Sequence, residues 1–211
     1  MKLSMGPRPF LLPTPVLAVG TYDREGRPNV MIVAWGGLCC SQPPSVAISV
    51  RKPTYTYSNL IEKKVFTISI PSEEFVREAD YFGMVSGKAE DKFSSTGLTP
   101  EKAEHVDAPY VKEFPLILEC SVTHVVEIGL HTQFIAEILD VKIDEDKLNE
   151  KRVPDIEKLK PFSFVPDART YYGMSRYIGK AFSIGKEIKG KSSKVGHINE
   201  PYSSLPSTLI K

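Results

Sequence analysis

The run from Gly26 to Pro71, GRPNVMIVAWGGLCCSQPPSVAISVRKPTYTYSNLIEKKVFTISIP, restricts the fold more than any other part of this chain. Three stretches of β-branched and small apolar residues are punctuated by a proline bend and by a short segment rich in hydroxyl and cationic groups. Asn29 to Leu38 is apolar, and Gln42-Pro43-Pro44 interrupts it because proline offers no ladder donor. Ser45 to Val50 resumes as a strand, and so does Val65 to Ile70. Between them, Tyr57 to Lys64 places a serine and an asparagine ahead of an apolar-then-charged stretch, which predicts a short helix. Upstream, residues 14 to 23 read as a strand ending in the turn signal DREGRP, so a first hairpin with the Asn29 strand is expected.

Further along, Ser72 followed by two glutamates is an N-cap and first-turn signature, with Phe75, Ala79 and Phe82 on one helical face and Gly83 and Gly87 ending it. Residues 94 to 115 are polar and turn-rich and read as a loop. Leu116 to Ile128 and His131 to Ile143 then form two long strands with Gly129 at the hairpin tip. Asp144 to Leu159 is charged and irregular, Phe162 to Val165 is a short apolar piece, and Arg169 to Ile188 is aromatic and glycine-rich. Residues 1–190 read as one domain, and 191–211 as a tail too poor in apolar residues to pack alone. Many strands, few short helices and no repeated βαβ unit predict a mainly β, small antiparallel barrel.

Composition narrows the function classes. With 27 basic and 26 acidic residues the net charge is +1, which argues against nucleic-acid binding by bulk electrostatics but leaves room for a local anion pocket. No apolar run approaches the roughly 20 residues of a membrane span, and Pro7 and Pro9 precede any signal-like segment, so a cytoplasmic location is expected. Cys39, Cys40 and Cys120 lack a CxxC spacing, and no metal site is expected. On a regular strand Cys39 and Cys40 face opposite ways, so at most one can look into a given pocket.

The segment VRKPTYTYS is the chemically informative one. Arg51, Lys52, Thr54, Thr56, Tyr57 and Ser58 lie where a strand ends and a helix begins. A phosphate monoester wants cations, hydroxyls and helix N-terminal N–H groups of this kind. An exposed polar turn would carry the same composition. Met84 to Phe93, MVSGKAEDKF, adds a small-residue turn followed by Lys92. Neither a Walker loop nor a dinucleotide fingerprint is present.

Taken in order, these segments resemble the flavin reductase-like, FMN-binding split-barrel family, and within it the flavoredoxin-like branch. The resemblance rests on the Asn29–Trp35 strand, the Ser49–Tyr57 segment, Ser86-Gly87 with Asp91-Lys92-Phe93, the run GLHTQFIAE from Gly129 to Glu137, and the closing PFSFVP…RTYYG…GKAFSIGK. It covers roughly residues 10 to 188.

The resemblance implies a Greek-key split barrel, FMN as cofactor and a homodimer. It implies a ring wall from Asn29, Met31, Val33, Ala34 and Trp35, with Cys39 and Cys40 close by. Ser49, Arg51, Lys52, Thr56, Tyr57, Ser86 and Lys92 belong to the phosphate side. Tyr171 and Tyr172 flank the ring, with Phe164 nearby, or pack at a subunit contact. His131 is the substrate-side candidate, and backbone N–H groups of Gly36 to Cys40 would face charge growing on the ring. Trp35 could instead be a core residue. Leu130 stands where many relatives carry an acid, and Pro53 where they carry a polar residue. The implied activity is hydride transfer from NAD(P)H to FMN and onward to an acceptor. An electron carrier reduced by a redox protein partner, or a non-enzymatic flavin or haem-related binding module, uses the same barrel.

Overall fold

The computed structural model describes residues 1–174 and 176–188. They fall into two units, one ending at Met174 and one beginning at Arg176, each described by itself. The second contains a 3₁₀ stretch, Ile184–Ile188. Residues 191–211, the expected tail, lie outside the described residues.

The first unit opens with β1 (Thr14–Pro15), β2 (Leu17–Tyr22), β3 (Pro28–Val33), β4 (Gly36–Ser41) and β5 (Pro44–Arg51). Helix α1 (Tyr55–Lys63) and β6 (Val65–Ile70) follow, then α2 (Val76–Met84), α3 (Lys92–Thr96) and a small hairpin of β7 (Pro100–Lys102) and β8 (Pro109–Val111). The long β9 (Leu116–Ile128) and β10 (His131–Ile143) precede α4 (Ile156–Leu159), β11 (Phe162–Val165) and β12 (Thr170–Gly173). Seven strands form one antiparallel sheet in the order β3-β2-β6-β9-β10-β5-β4, and a second sheet runs β1-β11-β12.

The two edges of the large sheet are consecutive in the chain. In a flat sheet, six strand spacings would hold β3 and β4 about 29 Å apart. The link from Val33 to Gly36 is three Cα steps, which reach about 11 Å at most. The sheet must therefore curl until its edges meet at this link, into which the β4–β5 ladder continues, with Ser49 N–H donating to Trp35 O at 2.8 Å. This is why the apolar run Asn29–Leu38 is two strands rather than one.

Curling encloses a core of Leu17, Val19, Val33, Ile48, Val50, Phe66, Ile68 and Phe134. Each large side chain so buried contributes about 1.5–3 kcal/mol. The opposite face of β2 and β3, through Ala18 and Val30, is covered by Phe82 of α2, Phe93 of α3, and Val111 and Phe114.

Residues 94 to 115 are not an irregular loop. They supply most of α3 and the β7–β8 hairpin, and Ala103, Val106 and Ala108 are buried. Small apolar residues scattered through a polar segment carry no period, so the pairing is not visible in one dimension. In three dimensions Thr67 Oγ1 donates to Pro109 O, and Val111 N–H donates to Ser69 Oγ. A Cβ at Gly20 would lie 2.0 Å from Pro109 O, so the missing side chain lets the hairpin dock. Buried Glu119 accepts from the N–H groups of Glu104 and His105 and from Lys142 Nζ at 2.8 Å, tying the same segment to β9 and β10.

Within Asp144–Leu159, expected to be irregular, Asp155 caps α4. The long hairpin has the expected bounds, with Gly129 at φ +50°. Helix α1 begins two residues earlier than expected because Thr54, not a later serine, caps it. Ala79 and Phe82 of α2 face the core as expected, while Phe75 belongs to the 3₁₀ turn before it. Cys120 is buried, and burial, with Glu119 adjacent, pushes its thiol up to about 12. Among the described residues no helix is long and apolar enough to cross a membrane.

Candidate functional site

At the seam a cleft of about 820 Å³ opens between the barrel and the β1-β11-β12 sheet. One wall is the end of β3 and the seam itself: Met31, Val33, Ala34 and Trp35, with Ser49 and Arg51 from β5. His131 is the cross-strand partner of Arg51. Its ring lies parallel to Trp35 (interplanar angle 6°), with centroids 6.3 Å apart. Trp35 is 41% exposed, so it is a lining residue and not a core tryptophan.

The other wall is the β11–β12 hairpin and the last turns of α2: Phe164, Arg169 and Tyr171, with Asp80, Gly83 and Met84. Tyr171 OH donates to Asp80 Oδ1 at 2.8 Å, and the ring packs edge-on against Phe162 and tilted against Phe164. Burial, reinforced by Asp80, pushes the Tyr171 phenol up to about 12, so it remains a donor and pins the hairpin to α2.

A smaller pocket of about 300 Å³ continues from the cleft, sharing Met31, Arg51, Thr54, Gly83 and Met84 with it. Its further lining includes Asn29, Tyr55, Thr56, Ser86, Gly87 and Lys92, and among the described residues it contains two cations and no carboxylate. Helix α1 starts here. Thr54 Oγ1 takes the Tyr57 N–H, which leaves those of Tyr55 and Thr56 with no intrahelical acceptor.

Tyr55 is held from outside the pocket. Its hydroxyl donates to Asp23 Oδ2 at 2.6 Å, and Arg27 Nε donates to the same oxygen at 2.7 Å. Burial would raise the Asp23 carboxyl, but these bonds and the Arg27 backbone N–H outweigh it and hold the group at about 2.

Two features mark the small pocket as a cradle for a polar ligand. Asn29 Nδ2 donates to Thr56 Oγ1 at 2.9 Å, while its Oδ1 is buried without a partner. A Cβ at Gly87 would sit 2.0 Å from that oxygen and 2.9 Å from the Tyr55 ring, so only glycine lets the loop come this close. A buried orphan acceptor is costly unless a ligand hydroxyl completes it.

Lys92, the first residue of α3, is buried and donates to Val30 O at 2.8 Å and Phe82 O at 2.7 Å. Two of its three protons are spent, and one remains. Burial lowers its ammonium to about 8.

Of the residues anticipated from sequence, Met31, Val33, Ala34, Trp35, Ser49, Arg51, Phe164 and His131 line the cleft, and Asn29, Met31, Arg51, Thr56, Ser86 and Lys92 line the small pocket. Others line neither cavity. Lys52 is turned to Glu127, with Nζ 2.5 Å from its carboxylate. Tyr57 packs against Phe134 and the barrel core. Tyr172 alternates outward from Tyr171. Cys39 and Cys40 are exposed on the edge strand β4, where a register shift between Leu38 and Cys40 breaks the strict alternation expected of them. The backbone of Gly36 to Cys40 does not reach the cleft either. Asp80, Gly83, Met84 and Arg169 are additional lining residues. The α2 contribution has no sequence signal, because it depends on how the helix end meets β3.

The titration of Lys92 gives a signed test. Above about pH 8 its ammonium in the unliganded fold loses its proton, whereas in the unfolded chain it keeps it to about 10.5. This group therefore adds stability to the unliganded fold as pH rises from 8 to 10.5. A bound phosphate ester favours the charged form, so its affinity should fall as pH rises through 8, with proton uptake on binding. Calorimetry in buffers of different ionisation enthalpy reads this uptake; none at pH 8.5–9.5 would separate Lys92 from the ligand.

The family model described as flavin reductase like domain matches residues 10–165. The flavoredoxin of Desulfovibrio vulgaris (Miyazaki F) is 56% identical and superposes with a TM-score of 0.84, covering 88% of this chain and 100% of that one. At 24% identity, a protein of Shewanella frigidimarina with a split barrel domain shares the fold (TM-score 0.73, 81% of this chain and 86% of that one). An uncharacterised protein of Archaeoglobus fulgidus is 33% identical over 115 residues, which is 54% of this chain and 65% of the relative's own length. The architecture is the split barrel, and the cofactor class that goes with it is a flavin. This chain belongs to the flavin reductase-like family and, within it, to the flavoredoxin-like branch.

Proposed function

We propose that the protein is an FMN-binding oxidoreductase that takes hydride from NAD(P)H and passes electrons to an acceptor. The observation that carries this reading is the continuity of a carboxylate-free pocket, holding Arg51, Lys92 and a helix N-terminus, with a cleft walled by Trp35, Met31 and Phe164. That pairing suits a phosphate at one end and a planar heterocycle at the other.

In this reading Arg51, the remaining Lys92 proton and the N–H groups of Tyr55 and Thr56 hold the phosphate. Asn29 Oδ1 accepts from a ribityl hydroxyl, and Ser86 supplies a further polar contact. Met31, Val33, Ala34 and Trp35 offer the apolar wall for the ring. Tyr171, locked by Asp80, keeps the β11–β12 hairpin in place, and His131 stands at the substrate side. Bound FMN supplies the hydride and electron chemistry. The protein binds, orients and shields it.

The flavoredoxin likeness favours a second reading, an electron carrier whose FMN is reduced by a redox protein. A homodimer belongs to either reading: Leu38, Val126, Ile128 and Leu130 are exposed apolar residues of β4 and the β9–β10 hairpin that a second copy would cover.

Arg51→Ala should weaken FMN binding by about 1.5–3 kcal/mol, roughly 10- to 150-fold, with an unchanged thermal transition in the unliganded state. Unchanged affinity would remove the phosphate from this pocket. Lys92→Ala is the poorer probe, because it also orphans the carbonyls of Val30 and Phe82. For the donor, stopped-flow bleaching of the FMN-loaded protein by NADH or NADPH supports hydride transfer, while inertness to both with reduction by a redox protein supports the carrier. Sedimentation of the loaded protein should give a two-chain mass; a one-chain mass at micromolar concentration would exclude the dimer.

A further inference from the structure

The cleft contains one cationic group that the FMN reading leaves unused. Arg169 lines the compartment walled by Trp35 and Tyr171, not the phosphate pocket. It closes the β11–β12 turn, where its N–H donates to Val165 O at 2.8 Å and its φ is +52°. A non-glycine residue in the left-handed region is uncommon, and asparagine or glycine is easier there. Among the other positive-φ residues, Lys64 and Lys160 are helix C-caps on the surface, where backbone geometry alone accounts for them. Arg169 has a comparable local reason, the hairpin turn that it closes, and that turn fixes where its backbone stands at the mouth of the cleft.

Its carboxylate neighbours are committed elsewhere. Asp167, two residues away, pairs with Arg8 at 3.3 Å, and Asp80, the acid that lines the cleft, accepts from Tyr171. Among the described residues no ion pair includes Arg169. A guanidinium at the mouth of a cleft, outside any ion pair among the described residues, offers a bidentate site for a phosphoryl oxygen. The cleft, of about 820 Å³, extends beyond the small pocket that adjoins it, and Arg169 lies on the part that the two do not share.

We infer that Arg169 is the residue that holds a phosphoryl group of the incoming nicotinamide dinucleotide, and so sets which donor is accepted. The inference rests on the hydride-transfer reading above. Arg51 and Arg169 then divide the two anionic ligands: Arg51 takes the cofactor's phosphate at the α1 side, and Arg169 takes the donor's at the hairpin side. Leu130, next to His131 on the same rim, adds no competing acid.

The test measures binding and does not depend on turnover. NADP⁺ and NAD⁺ carry the donor phosphates but no hydride to give. Each is titrated calorimetrically into FMN-loaded wild type, Arg169→Asn and Arg169→Lys; asparagine tolerates the positive φ, so the turn is retained. Arg169→Asn should weaken binding roughly tenfold, and Arg169→Lys less. Loss confined to NADP⁺ assigns the 2′-phosphate, and equal loss for both assigns the pyrophosphate; either supports the site. Unchanged affinity in Arg169→Asn, or no binding of either nucleotide to wild type, overturns it. So does an FMN affinity that falls as far as in Arg51→Ala, because Arg169 would then belong to the flavin. Arg169-dependent nucleotide binding without bleaching by NADPH or NADH would sink the hydride reading and leave the anion site standing.

Discussion

The two-residue link between β3 and β4 is the constraint on which the rest of this molecule depends. Because Ala34 and Trp35 join strands from opposite edges of a seven-stranded sheet, the sheet has to close on itself where they lie. Closure puts both faces of β2 out of water, one against the barrel core and one against α2, α3 and the β8 region. It also leaves the seam residues with no strand beyond them on one side. The cleft occupies that side, so barrel closure and the candidate site have one cause.

Chemistry then divides along the length of the site. At the α1 end, unspent helix N–H groups, Arg51 and Lys92 face a small volume without a carboxylate. The network that fixes this end is set back from it: Asp23 takes bonds from Tyr55 and Arg27, and Asn29 is braced by Thr56. At the hairpin end the walls are aromatic and apolar, with Asp80 and Tyr171 paired to each other and Arg169 in no ion pair among the described residues. Such a gradient suits a ligand with one anionic and one planar end.

Placement of Lys92 shows how far burial changes a residue's part. On the sequence it is one more lysine in a small-residue turn. In the structure it holds β3 and α2 together through the carbonyls of Val30 and Phe82, and offers the pocket a single proton. Its role is structural and electrostatic at once. Cys39 and Cys40 moved the other way: the family resemblance implied nearness to the ring, but β4 pairs along β5 away from its Ser49–Arg51 end and leaves both exposed.

Much of this was readable from residues alone. The turn and proline signals located β2, β3, β5, β6, β9 and β10, and the cationic, hydroxyl-rich segment after β5 marked the polar end, because strand period, caps and charge inventory are local properties. The β7–β8 hairpin, the choice of Tyr171 over Tyr172, the burial of Lys92 and the arrival of Asp80 and Arg169 at the cleft were not readable. Each depends on which surface a segment meets after the sheet has curled, and on register across strands distant in sequence. Local chemistry determined what the strands and the cationic, hydroxyl-rich segment are; the closing of the sheet, a geometric consequence of joining its two edges, decided which side chains share a cavity.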